Sequence, residues 1–419
     1  MALKQKLLAK GNLIINSLLS LLRELVRKTI RCLGGFLLRK AVNIEDLRRF
    51  SKFLLPAPIF GYLDGAADDE ISKERNHSDF NRYELSPKFL TNITSIDTST
   101  KVMGVELDFP LICSPTGMSR LFHENGELAV AAACEKLGIL YSLSTLSTYA
   151  IEEVAEVSDV PKWFQIYVFK DRALISEFMD RCREAKFKGL TLTIDVPTQG
   201  NRERDVRTGM TVPPKITPSS AARFALTPLW SLNYLLSKKF QLANVVHKAP
   251  VESSDLTTLV DYLHEQFDQS VTWDDAKEMV EEWSGPFAVK GISSVSDAMK
   301  AVEIGATTLI LSNHGGRQLD QTISPIALLP EVKSAVGDDV EIIVDGGIRR
   351  GSDIFKAIAL GASACSIGRP YLYGLAVNGE AGVVKSLEIL RDEFTRTMAL
   401  MGVTSVSQID ESCLRKRKR

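Results

Sequence analysis

A histidine and an arginine leave the same apolar run together in Ser312-Asn313-His314-Gly315-Gly316-Arg317-Gln318-Leu319-Asp320, directly after Thr307-Thr308-Leu309-Ile310-Leu311. An imidazole can change charge near neutral pH, and a forked guanidinium three residues on can grip a carboxylate. The pair suits a substrate with both a carboxylate and an abstractable proton. The competing reading is a strand that simply ends in a polar turn. Two further turns combine glycines with arginines: Asp345-Gly346-Gly347-Ile348-Arg349-Arg350-Gly351 and Gly368-Arg369-Pro370. Such turns let backbone N–H groups approach phosphate oxygens while the guanidinium adds charge. One is a weak signal, but two in succession point to a phosphorylated cofactor or substrate.

These residues need elements to carry them. From about residue 108 short apolar runs alternate with helix-like segments, the pattern of parallel β/α units. The runs are Pro110–Ser114, Ile139–Leu143, Trp163–Val168, Leu190–Asp195, Phe287–Lys290, Thr307–Ser312, Glu341–Asp345 and Ala364–Ile367. Eight such units predict an α/β fold, a closed (β/α)8 TIM barrel, whose active site lies where the strands end. Asp195, Lys290, His314 and both glycine turns all fall at run ends.

Composition narrows the function. Lys and Arg number 51 against 52 Asp and Glu, a net charge of -1. No global field favours a polyanion, so nucleic acid is not an expected partner. Cys32, Cys113, Cys134, Cys182, Cys365 and Cys413 form no C-x-x-C pair and no ligand-like cluster with histidine, which predicts reduced thiols and no metal site. Basic character sits at the two ends. Residues 1–42 form a basic, acid-poor extension in which Ile14, Leu18, Leu21 and Leu25 share a helical face. Its uncharged stretch is too short to span a bilayer. An amphipathic helix on a membrane surface, an organellar leader, or a helix packed on the barrel all fit. Residues 43–405 form the barrel, and 406–419, ending Arg415-Lys416-Arg417-Lys418-Arg419, read as a solvated basic tail.

The same residues closely resemble the FMN-dependent L-2-hydroxy-acid dehydrogenase and oxidase family, which includes glycolate oxidase, lactate dehydrogenase and mandelate dehydrogenase. The likeness runs from about residue 43 to 405. It rests on the motifs at 312–320 and 345–351, on Gln165-Ile166-Tyr167 and on Thr193-Ile194-Asp195-Val196-Pro197. The resemblance implies that His314 is the catalytic base and Asp195 the carboxylate that orients it. It implies that Arg317 and Arg202 hold the substrate carboxylate, helped by the phenols of Tyr62 and Tyr167. For FMN it implies Pro115, Thr116 and Gly117 beside the ring, with Ser144, Gln165, Thr193 and Ser312 as polar contacts. Lys290 would be the cation near the ring, and Asp345, Gly347, Arg349, Gly368 and Arg369 the ribityl and phosphate holders. Two electrons would pass from an L-2-hydroxy acid to FMN, leaving a 2-oxo acid.

Substrate and acceptor are read from the departures. Leu146 stands where glycolate oxidases carry tryptophan and mandelate dehydrogenases glycine, which leaves a medium pocket and favours lactate. Asn201 replaces a second arginine often found beside Arg202. A long insertion at 206–280 contains Leu226-Thr227-Pro228-Leu229-Trp230-Ser231-Leu232-Asn233-Tyr234-Leu235-Leu236 and Gln241-Leu242-Ala243-Asn244. It resembles the membrane-associated dehydrogenase branch, which passes electrons to a respiratory acceptor such as quinone or cytochrome, and an active-site lid is the alternative. The resemblance further implies a homotetramer. The expected location is the cytoplasmic side of a membrane, or an organelle if residues 1–42, which lie outside the resemblance, are a transit peptide. A peroxide-forming oxidase, a mandelate-type dehydrogenase, a flavin-dependent isomerase and a scaffold without turnover are the other readings.

Overall fold

Eight parallel strands close on themselves. In chain order they are β1 (Leu111–Cys113), β2 (Leu140–Ser144), β3 (Lys162–Ile166), β4 (Gly189–Thr193), β5 (Phe287–Ile292), β6 (Thr308–Ser312), β7 (Glu341–Asp345) and β8 (Ala364–Ile367). Each pairs with its sequence neighbours, and β8 pairs with β1. The computed structural model describes residues 2–210, 218–248 and 266–417, the side chains of 2–15, 219 and 220 excepted. Each expected run contains or overlaps one strand. The strands are buried nearly throughout, because helices cover one face and packed side chains fill the other.

Two apolar layers hold the barrel. The larger lies between strands and outer helices and includes Phe164, Phe178, Leu309, Ile342, Phe355 and Phe394. The smaller fills the barrel interior with Ile112, Leu140, Trp163, Ile310 and Ile343. The hairpin of Thr100–Val102 and Val105–Leu107 adds Val102, Met103, Val105 and Leu107 to that interior layer. Its Met103 N–H donates to Glu341 at the start of β7, 2.6 Å away, so the hairpin plugs the N-terminal end. The other end is left free to carry a site.

The ends of the chain differ from expectation in part. Residues 2–40 form one helix, α1 (Ala2–Lys40). From Val26 onward it packs on the barrel side against two helices, α2 (Pro228–Leu236) of the insertion and α3 (Arg369–Met401). Before that point Leu18, Leu21 and Leu25 are each 60% or more exposed; the side chain of Ile14 lies outside the described residues. No helix among the described residues is long and apolar enough to cross a membrane. The basic tail is not free as far as Lys416. Leu414–Lys416 pairs antiparallel with Tyr83–Leu85, and Ile409 and Cys413 are buried. Backbone pairing satisfies the ladder whatever the side-chain charge, so a basic composition hides the strand. Lys418 and Arg419 lie outside the described residues. All six cysteines are unpaired, five of them buried.

Candidate active site

The polar residues end their strands in register. Ser144 of β2 lies opposite Gln165 of β3, Thr193 of β4 opposite Lys290 of β5, and Asp345 of β7 between Ser312 of β6 and Ser366 of β8. A barrel of parallel strands therefore presents one polar ring at its C-terminal rim. Above it is a cavity of about 500 Å³, within the range of cofactor-sized sites.

His314 sits directly after β6 in the left-handed region, at φ 57. Its backbone N–H donates to Ser312 Oγ at 3.1 Å, and Asn313 Oδ1 accepts the Gly316 N–H at 3.1 Å. Asn313 in turn exchanges two side-chain hydrogen bonds with Asn76, at 2.7 and 2.8 Å. This turn aims Nδ1 of His314 at Asp195 Oδ1, 3.0 Å away. Asp195 can lie there because β5 presents glycine: a Cβ on Gly291, at φ 103, would come within 2.7 Å of Asp195. Burial opposes ionisation of Asp195, but the charge and hydrogen bond of His314, with Lys290 behind them, hold its carboxyl below the usual range.

The arginines face the same space. Arg317 Nη1 donates to the Tyr62 carbonyl at 2.6 Å and to the Gly65 carbonyl at 3.1 Å. Its guanidinium lies 4.9 Å from the Tyr62 ring centroid, and that of Arg202 lies 5.4 Å from it. Two cations thus flank one phenol. Burial, and then the like charge of Arg202, push Arg317 down to about 10; an anion between the two would relieve both. Burial, with the nearby Asp195 carboxylate, pushes the Tyr167 phenol up, so it stays a hydrogen-bond donor.

The opposite end is cationic too. Lys290 Nζ contacts Asp345 Oδ2 at 3.0 Å and Ser312 Oγ at 3.1 Å. Asp345 also accepts from Ser312, at 2.8 Å, and from Ser114. Burial opposes the Lys290 charge, and Asp345 and Asp195 outweigh it and raise its pKa. Arg369 donates to the carbonyls of Gly315 and Gly65, at 2.9 and 2.8 Å. Gly347 takes φ 83, and a Cβ there would fall 1.8 Å from the Asn76 carbonyl. That glycine is required by the protein's own packing, whatever ligand lies above it.

Of the residues read from the sequence, Tyr62, Pro115, Thr116, Gly117, Tyr167, Arg202, Lys290, His314, Arg317, Asp345, Gly347, Arg349, Gly368 and Arg369 line the cavity. Asp195, Ser144, Gln165, Thr193 and Ser312 do not line it: Asp195 holds His314, Ser312 holds Lys290 and Asp345, Ser144 accepts the Leu146 N–H and bonds Gln165, and Thr193 lies opposite Lys290 in the sheet. Asn201 instead bonds Asp68 at 2.8 Å. Part of the insertion reaches the cavity. Leu242 is buried and lines the cavity, and Asn244 is buried, bonded to Ile151, Ser147 and Arg181. Leu242 and Asn244 therefore turn inward and help build the wall, while Gln241 stays exposed. Residues 211–217 and 249–265 of the insertion lie outside the described residues.

Several contributors carry no sequence signal. Phe122 stacks on Tyr62 at 6.4 Å, Phe267 meets Tyr167 edge-on at 5.2 Å, and both line the cavity. Asn76 and Ser366 support it from below. A lone asparagine or phenylalanine is common, and only the fold reveals what it touches.

The donor set fits FMN. Arg369 lines the cavity, and its buried Nε has no partner among the described residues, although buried donors are normally bonded. Cations at one end suit a phosphate, and Lys290 suits a ring that gains negative charge on reduction.

Comparison with known proteins agrees. Residues 51–416 match the family model for FMN-dependent dehydrogenase. L-lactate dehydrogenase of Pseudomonas syringae pv. syringae is 39% identical over 378 residues, 89% of this chain and 98% of that protein. Glycolate oxidase 3 of Arabidopsis thaliana is 38% identical over 370 residues, 88% of this chain and 95% of that protein. The crystal structure of the monotopic membrane protein (S)-mandelate dehydrogenase superposes with a TM-score of 0.86 at 34% identity, covering 90% of this chain and 100% of that one. With a closed barrel and a histidine–aspartate pair and two clusters of cationic side chains around one cavity, the chain belongs to the FMN-dependent dehydrogenase family and is an oxidoreductase of 2-hydroxy acids.

Proposed function

We propose that the enzyme oxidises a short L-2-hydroxy acid, L-lactate first among them, and delivers the electrons to a membrane-borne acceptor and not to oxygen. The observation that carries the chemistry is the His314–Asp195 pair facing the same cavity as Arg317 and Arg202. The two arginines and Tyr62 hold the substrate carboxylate by charge-assisted bonds, which fixes Cα relative to His314. Tyr167, a phenol that keeps its proton, donates to the substrate hydroxyl. His314 accepts the proton that the substrate loses, and Asp195 stabilises the imidazolium that results. Bound FMN supplies the two-electron sink. Lys290, charged and fixed by Asp345, compensates the negative charge that arrives there.

Leu146 supports a small side chain. It lines the cavity next to Gly117, where an added Cβ would lie 3.0 Å from its own. A methyl group fits beside it more readily than a phenyl ring. The acceptor reading rests on α1 and the insertion. Leu18, Leu21 and Leu25 form an exposed row on α1, with the exposed Lys28 three residues beyond Leu25 beside it, and Leu226 and Leu235 are 82% and 77% exposed. Apolar area beside positive charge suits an anionic bilayer surface. Steady-state turnover with L-lactate decides the acceptor: rapid reduction of a soluble quinone analogue with little oxygen uptake is expected. Oxygen uptake matched by peroxide, at a rate equal to that with the quinone, would select the oxidase reading.

A further inference from the structure

Directly after Tyr62 the chain runs Leu63-Asp64-Gly65, and Asp64 has no place in the chemistry described so far. Its side chain is 1% exposed and does not line the cavity. It nevertheless gathers three donors: Arg48, bidentate at 2.7 and 2.9 Å, Arg204 at 3.1 Å and the Tyr373 hydroxyl at 2.8 Å. These come from helix Ile44–Leu54, from helix Glu203–Thr208 at the start of the insertion, and from α3. Lys73 adds a bond to the Asp64 carbonyl at 3.2 Å. Burial opposes ionisation of Asp64, and the Arg48 bond and the Lys73 charge outweigh it, so the carboxyl is held far below its usual range. Buried ion pairs contribute little net stability, and such an arrangement is best understood by what it fixes in place.

What it fixes is the next carbonyl. Gly65 O accepts from Arg317 at 3.1 Å and from Arg369 at 2.8 Å. One of these arginines faces the substrate carboxylate and the other the phosphate end. Arg369 also lies one turn before Tyr373 on α3, so Asp64 grips the helix that carries it.

We propose that Asp64 is a positioning residue that couples the two anion-binding ends of the cavity through the Gly65 carbonyl. The proposal rests on the reading of Arg317 and Arg369 given above. A phosphate that draws Arg369 away leaves Gly65 O to Arg317 alone, which steadies Arg317 for the carboxylate. By linkage the carboxylate favours the phosphate by the same factor.

The test compares protein reconstituted with FMN and with riboflavin, which differ only in the phosphate. Oxalate, a carboxylate that cannot be oxidised at Cα, is titrated into each and followed by the perturbation of flavin absorbance. The wild-type FMN form binds oxalate about fivefold or more tighter than the riboflavin form. In Asp64→Asn that ratio falls toward one, and KM for the hydroxy acid rises about tenfold while kcat changes less than about threefold. Tyr373→Phe and Arg204→Gln each remove one bond to Asp64 and give intermediate ratios, which keeps the test open if Asp64→Asn does not fold. A wild-type ratio of one overturns the coupling, as does an unchanged ratio in the folded variants. Loss of affinity in both forms with the ratio preserved marks a merely structural carboxylate and overturns it too. If no 2-hydroxy acid reduces the flavin while the ratio behaves as described, the proposed function fails and the coupling stands.

Discussion

At His314 the roles separate into holding and reacting. Asp195 occupies Nδ1 at 3.0 Å, which leaves Nε2 for the substrate. His314→Gln removes the proposed base and keeps the cavity: the protein stays yellow, and the rate of flavin reduction by substrate falls by about three orders of magnitude or more. Normal reduction in that variant would exclude His314 as base. Asp195→Asn keeps the hydrogen bond but loses the charge, and stopped-flow reduction should slow by about 10²–10⁴. Leu146→Gly opens the wall beside Gly117, and the ratio of kcat/KM for L-mandelate over L-lactate should rise by about 10–200-fold. An unchanged ratio would show that side-chain size is judged elsewhere, at Phe122 or Phe267. His314 and Arg317 were legible because one turn carries both. Asn76 was not: it meets Asn313 from 237 residues away, and no local pattern records so distant a pair.

The elements show the same division. All eight strands announce themselves, since a strand buried on both faces must be a continuous apolar run and its polar end must be the rim. The strand Leu414–Lys416 is hidden because its side chains are basic and only its backbone pairs. The insertion is legible as apolar but not in direction. Leu235 turns outward and Leu242 inward, and two residues beyond Leu242 the chain is tied down by the bonds of Asn244 to Ser147, Ile151 and Arg181. On α1 the leucine row faces solvent. Each leucine moved from water into an apolar layer is worth about 1.5–3 kcal/mol. Replacing Leu18, Leu21 and Leu25 with glutamine should therefore cut binding to vesicles of anionic phospholipid by more than about tenfold, in a flotation assay, without changing turnover with a soluble acceptor. Equal flotation of variant and wild type would contradict the membrane reading, and a change in mass alone would point to a second copy of α1 as the occupant.

Over the whole molecule, the pH dependence of stability reports on the buried Asp64 carboxyl. Asp64 has a folded pKa depressed below its unfolded value, so it stabilises the fold fully above about pH 4 and loses that contribution as pH falls below it. Asp64→Asn should show a shallower loss of stability than wild type below about pH 4, by close to one proton, in acid-unfolding curves followed by circular dichroism. Equal slopes would mean that the carboxyl is not held low. Sedimentation tests the tetramer: a mass of four chains is expected, and a monomer at micromolar concentration would contradict it. The central claim is the chemistry, and one anaerobic experiment reaches it most directly. The FMN-loaded protein is mixed in turn with L-lactate, D-lactate, glycolate and L-mandelate, and the oxidised flavin absorbance is followed. Rapid bleaching by L-lactate, slower bleaching by glycolate and L-mandelate, and none by D-lactate is the expected result; a yellow protein that none of the four acids bleaches would contradict it.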